Sequence, residues 1–237
     1  MKKILGAVRR ADSDFRMIQP GDRICVGVSG GKDSLVLLKA LAAYRAFAPN
    51  PFELTAVTLT LGISDADWRP VAQLCGELRV PYAVEKTQIG SIVLERREPN
   101  PCSLCARMRR GALVSWCRAN GHNKLALGHH LDDAIETLFL SVLMEGRFHT
   151  FHPATALEGS GITQIRPLVY ITEGQAASAA RRFGLPVTKA ACPVDGDTER
   201  TRMKELVAAL RRRYPDAREK LLSALMNDGQ YGLWEKR

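Results

Sequence analysis

A doubly wound α/β fold, with a parallel sheet covered on both faces and a C-terminal helical extension, is predicted by three observations. Apolar runs of strand length alternate with segments of helical period from residue 23 to residue 145. The strand runs are apolar almost throughout rather than at every second residue, as strands buried on both faces are. The composition supports a packed core: of 237 residues, 46% are hydrophobic and 25% charged. In such a sheet, ligands bind beyond the carboxyl ends of the strands.

Taken in order, residues 1–22 form a short basic arm ahead of the α/β domain, which spans 23–195. Residues 23–28 (RICVGV) read as a buried strand that stops at SGG. From Asp33 to about Phe47, Leu35, Leu37, Leu38, Leu41 and Ala42 recur at helical spacing, with Asp33 in the N-cap place. A strand at 53–60, a helix at about 68–79, a strand at 81–87 and a helix at about 103–119 follow. KLAL at 124–127 is the next strand, and Asp132 opens a helix that runs to about Glu145. Residues 146–164 carry no clear period and read as a long loop. A short strand near 165–170, a helix near 173–183, a strand and loop to 193, and a helical tail across 196–237 complete the chain.

Thirty-four basic against 25 acidic residues leave a formal charge of +9, which favours an anionic partner, nucleic acid first. No run of about 18 apolar residues is present, so no membrane span is expected. Six cysteines in so long a chain do not make a secreted disulfide framework, and a cytoplasmic protein is expected.

The first candidate site is VGVSGGKDS at 26–34, between a strand and a helix. Gly30 and Gly31 let the backbone approach a ligand closely, Ser29 and Ser34 bring hydroxyls, and Lys32 brings a mobile charge. With the free N–H groups of the helix start, these groups suit a phosphate. The spacing fits neither GxxxxGK[ST] nor GxGxxG. SGGKDS after an apolar strand resembles the PP-loop of the N-type ATP pyrophosphatases. That resemblance implies cleavage of ATP to AMP and pyrophosphate, used to adenylate an oxygen.

Cys102 and Cys105, in PCSLCARMRRG, fall on one face of a first helical turn, where the helix dipole favours thiolates. Cys192, in the loop ACPVDG, is the third candidate, because loops at the strand ends converge on the same side. On spacing alone a [4Fe–4S] cluster, a zinc site and a dithiol redox pair all remain open. Cys25, Cys75 and Cys117 sit within apolar patterns and read as packed thiols. LALGHHLDDAIETLFL at 125–140 forms a second strand-to-helix corner. There Gly128 permits a tight approach, and Asp132 or Asp133 can cap the helix while the other serves Mg²⁺ or a proton.

The order SGGKDS, PCSLCARMRRG, LGHHLDDAIETL and a lone cysteine after IRPLVY is similar to the tRNA 2-thiocytidine synthetase family, from about Phe15 to the tail RRRYPDAREKLLSAL. The resemblance implies a HUP-type α/β fold, ATP and Mg²⁺ at the PP-loop, and a [4Fe–4S] cluster on three cysteines. It also implies transfer of sulfur to C2 of cytidine 32 in the tRNA anticodon loop. Carried over, Ser29, Gly30, Gly31, Lys32, Asp33 and Ser34 bind the ATP phosphates, and Gly128, His129 and Asp133 complete the pocket; Asp133 is also the candidate for Mg²⁺ binding or proton handling. Cys102, Cys105 and Cys192 ligate the cluster. Related thiouridine synthetases carry Lys where this chain has Arg109, and their paired CxxC motifs are missing here. The expected partners are tRNA and a sulfur donor such as a cysteine desulfurase or free sulfide, and a homodimer is admitted. Three rivals remain, of which the first two are a PP-loop enzyme acting on another base such as uridine, and a nucleotide-binding iron–sulfur regulator without turnover. A zinc-stabilised binding module is a third.

Overall fold

The apolar run that follows the basic segment becomes β1 (Asp22–Gly27), at the centre of a six-stranded sheet. The structure, a computed structural model, describes residues 1–63, 66–96, 101–188, 199–227 and 229. In chain order the other elements are α1 (Lys2–Phe15), α2 (Lys32–Tyr44), β2 (Phe52–Thr60), α3 (Arg69–Glu77), β3 (Tyr82–Lys86), α4 (Ile89–Arg96) and α5 (Pro101–Ala119). There follow β4 (Lys124–Ala126), α6 (Leu131–Glu145), β5 (Ala154–Leu157), β6 (Ile162–Ile165), α7 (Glu173–Arg182), α8 (Glu199–Arg213) and α9 (Ala217–Met226).

The sheet order is β3-β2-β1-β4-β6-β5, parallel except for the antiparallel edge strand β5. Strand order reverses at β1, so the loops leaving β1 and β4 emerge side by side at a topological switch point. Both faces of β1 are buried. Cys25 packs with Val57 and Leu125 against Leu113 and Cys117 of α5, while Ile24 and Val26, pointing the other way by strand alternation, are equally buried. That is the fold class the apolar strands predict.

Several local readings change. The basic N-terminal segment is a helix, because Ile4, Val8 and Ala11 form a buried stripe at helical spacing among the charges. Buried Asp12 fixes it, accepting from the Ile18 N–H at 2.9 Å and the Tyr44 hydroxyl at 2.8 Å. The stretch read as a loop across 146–164 contains β5 and all but the last residue of β6, a hairpin that turns on Gly159 and Gly161, both at positive φ. Its strands of four residues are too short to declare a period. The strand expected near 165–170 is β6, which ends at Ile165, and the backbone then turns, with the Val169 N–H donating to the Arg166 carbonyl. Helix α4 has no counterpart among the elements expected from the sequence; Ile89, Val93 and Leu104 give it a small core of its own with α5.

The chain divides into two compact units, Met1–His130 with His152–Asp195, and Leu131–Phe151 with Gly196–Arg237. The first unit holds the sheet. In the second, α6 packs against α8 and α9 around Leu131, Ile135 and Val207. Among the described residues no helix is long and apolar enough to cross a membrane.

Candidate functional site: a phosphate-binding corner at the strand switch point

Between β1 and α2 the backbone is shaped by its own small side chains. The Ser34 hydroxyl donates to the Gly31 carbonyl at 2.9 Å and accepts from the Ser29 N–H at 3.2 Å. The Ser29 hydroxyl lies 3.2 Å from that of Ser34 and accepts from the Gly31 N–H at 3.4 Å. Gly30 sits at φ +82°, and a Cβ there would fall 2.7 Å from the Thr188 carbonyl and 2.9 Å from the Trp68 ring. Only glycine satisfies both the conformation and the space. The N-cap of α2 is Gly31, with no side-chain cap, and not Asp33 as the sequence suggested; Asp33 stands in the first turn. Leu35 is the first residue bonded back, to the Gly31 carbonyl. The N–H groups of Lys32, Asp33 and Ser34 therefore precede any intrahelical acceptor and point where an anion would sit.

The loop after β4 closes on this corner. A Cβ on Gly128 would lie 2.9 Å from both the Asp33 carbonyl carbon and the Ser34 nitrogen. Those are backbone atoms and cannot step aside, so the bare Cα of Gly128 is what lets the two corners touch. Half-buried His129 and buried His130 follow in the chain. The His130 Nε2 lies 3.8 Å from the Asp33 Oδ1. That oxygen is buried with no hydrogen-bond partner among the described residues. A hard, shielded carboxylate oxygen beside a phosphate cradle is a donor that fits Mg²⁺.

Lys32 reaches its partners across the loop. Its Nζ lies 3.0 Å from the Asp33 Oδ2 and 3.1 Å from the Oε1 of Glu173, the first residue of α7. Burial pulls the ammonium down, but the two carboxylates outweigh it and leave Lys32 above the usual lysine range. At the same edge of the sheet, Arg166 is buried just past β6 and donates through Nη1 to the His152 carbonyl. Burial first, and then the charge of Arg110, bring it down to about 10.

Cys102 and Cys105 stand at the start of α5, the first exposed and the second half-buried against the Ile89–Val93–Leu104 cluster. Helix α5 runs from this edge back to the start of β4, so both thiols belong to the carboxyl side of the sheet. Their i, i+3 spacing and the positive helix end suit two thiolate ligands of one cluster. Cys192 lies outside the described residues. Among the described residues no group of three metal-binding side chains gathers. Cys25, Cys75 and Cys117 are buried, as expected of packed thiols. A hydrogen bond to Cys117, then burial, pushes the Cys25 thiol far up, and burial takes Cys75 to about 11.

In the second unit, the acidic first turn of α6 is matched by arginines. Arg218 holds Asp132 at 2.6 Å, while Arg200 lies 3.4 Å from Asp133 and 3.4 Å from Glu136. Sequence reasoning missed Trp68, Thr188 and Glu173 beside the loop. Each is distant in sequence and carries no motif, and only the positive φ of Gly30 and the charge of Lys32 hint that such neighbours exist.

A glycine cradle at the switch point of a parallel sheet, closed by a second strand-to-helix corner, defines a PP-loop nucleotide-binding protein. The family profile of the PP-loop domain matches residues 6–210, and the chain belongs to that family. Within it, the chain belongs with the tRNA-cytidine(32) 2-sulfurtransferases, a family of tRNA thiolation enzymes. It is 42% identical over 230 residues to the one from Geobacter metallireducens, covering 95% of this chain and 90% of that protein. It is 41% identical to that of Pelobacter propionicus, at 95% and 86% coverage. The fold is similar to that of the U34-tRNA thiolase from Methanococcus maripaludis with its [4Fe–4S] cluster, at TM-score 0.77 and 23% identity. That likeness covers 99% of this chain and 80% of the other.

Proposed function

We propose that this chain is an ATP-dependent tRNA sulfurtransferase that adenylates C2 of a pyrimidine, cytidine 32 of the anticodon loop, and replaces its oxygen with sulfur. The observation that carries the reading is the contact of the two corners through the bare Cα of Gly128, in a chain 42% identical to a tRNA-cytidine(32) 2-sulfurtransferase.

Oxygen on C2 of a pyrimidine is a poor leaving group, and AMP is a good one. The pyrimidine O2 attacks the α-phosphorus of ATP and pyrophosphate leaves. The N–H groups of 32–34, the hydroxyls of Ser29 and Ser34 and the Lys32 ammonium hold the charge that develops on it. Gly30, Gly31 and Gly128 keep the backbone close enough for this, and His129 completes the pocket. Asp33 would offer its shielded oxygen to Mg²⁺, which would supply further charge for the phosphates, and Asp133 is the candidate to hold Mg²⁺ or move a proton. Sulfide then attacks C2 and expels AMP, which carries away the original oxygen, so no net electron change is needed. Cys102, Cys105 and Cys192 would hold a [4Fe–4S] cluster, which would supply a place to keep sulfide from water until the activated base arrives. A cysteine desulfurase or free sulfide supplies the sulfur. The chain's charge of +9 suits a tRNA partner in the cytoplasm.

The test is thiolation of a tRNA bearing cytidine 32 by protein purified and reconstituted without oxygen. Thiolation that requires ATP, is accompanied by pyrophosphate release and disappears in Cys192→Ala is the expected result. Thiolation of uridine in place of cytidine would overturn the substrate, and no pyrophosphate with tRNA present would make the chain a nucleotide-binding regulator.

A further inference from the structure

Lys32 is the cation that the described residues bring to the phosphate corner, and it is tied to two carboxylates, Asp33 at 3.0 Å and Glu173 at 3.1 Å. Asp33 is its chain neighbour. Glu173 comes from 141 residues further on. Helix α7, which carries it, is fixed independently of Lys32. A capping box joins Thr172 and Gln175, and α7 packs along α2. The Glu173 side chain is 37% exposed, so water screens its charge. As the first residue of a helix, it keeps a favourable field when Lys32 turns away. A tie of this kind is cheap to open, unlike a buried pair.

We propose that Glu173 is a counter-ion gate: it holds Lys32 when no nucleotide is bound and competes for it with the terminal phosphates of ATP and with the pyrophosphate product. The inference rests on the nucleotide site proposed above. Glu173 acts through Lys32, so it is a positioning residue. When pyrophosphate forms, Lys32 faces two claimants, and the return of Glu173 favours release of the product. Had Glu173 served merely to tie α7 to α2, its loss would loosen the corner and weaken anion binding. A competitor, when lost, has the opposite effect.

Calorimetric titration of pyrophosphate into wild type and Glu173→Gln reads the sign directly. Glu173→Gln is expected to bind pyrophosphate about fivefold more tightly, the scale of one part-exposed ion pair. In a Lys32→Met background the same substitution is expected to leave the Kd unchanged. Unchanged or weaker binding in Glu173→Gln would overturn the gate, as would a tightening that persists without Lys32. If wild type binds ATP and pyrophosphate but thiolates no tRNA, the proposed reaction fails while the shift in Kd still decides the gate. If wild type binds neither, both fail.

Discussion

The helices that follow β1 and β4 open in opposite ways. Helix α2 begins on Gly31 without a side-chain cap, and one oxygen of its first-turn Asp33 is buried with no hydrogen-bond partner among the described residues. Helix α6 begins with three acids in its first turns, and each meets an arginine of α8 or α9. The first opening leaves backbone donors and a carboxylate oxygen for a ligand. The second pairs its carboxylates with arginines of its own unit, Asp133 with a part-exposed Arg200 at 3.4 Å. Two corners with the same strand-to-helix topology thus present their charges differently, one open towards a ligand and one already paired.

The sharpest way to break this contrast is Gly128→Ala. Its Cβ would meet backbone at 2.9 Å, so the corners must part. ATP binding is expected to fall beyond detection by calorimetry, with stability lower by about 3 kcal/mol in denaturant unfolding. Retained nucleotide affinity would refute the close approach as the basis of the site. Next comes Asp132→Ala, which strands the guanidinium of Arg218, itself 16% exposed. A loss of about 3 kcal/mol is expected, seen as early proteolysis of the C-terminal helices. An unchanged proteolytic pattern would show that the α6 acids do not hold their unit. Ser34→Ala removes a hydroxyl that both donates and accepts within the loop. About tenfold weaker ATP binding is expected, with stability lowered by about 1 kcal/mol. The smallest effect lies away from both corners, at His122, stacked on Trp116. Burial, then the charge of Arg23, lower its pKa in the folded protein. The unfolded chain therefore takes up a proton first as pH falls. Its contribution is complete above the ordinary histidine range and declines as pH drops through it. His122→Gln is expected to remove that slope from melting curves without touching ATP affinity.

Much of the corner after β1 was readable in the sequence, because glycines at a strand end, two serines and a lysine act through the backbone next to them. The elements α2, β2, α3, β3, α5 and β4 were readable for the same reason, since apolar period is a local property. The β5–β6 hairpin was not, as its strands gain their identity from pairing with each other and with β4. Nor were the arginine partners of the α6 acids, since Arg200 and Arg218 stand far along the chain from Asp132 and Asp133. Helix α1 shows the limit in the other direction, with Ile4, Val8 and Ala11 present in the chain but outweighed by the charges around them.

The sequence by itself determined the fold class, the phosphate loop and the pairing of two cysteines on one helical turn, because each follows from residues within a few positions of one another. Tertiary structure alone decided that Gly128 touches Asp33 and Ser34, that Trp68 and Thr188 border Gly30, and that Glu173 claims Lys32. Those contacts span from 38 positions, between Gly30 and Trp68, to 158, between Gly30 and Thr188. Distances of that kind are set by the order and register of the strands, which no local pattern encodes.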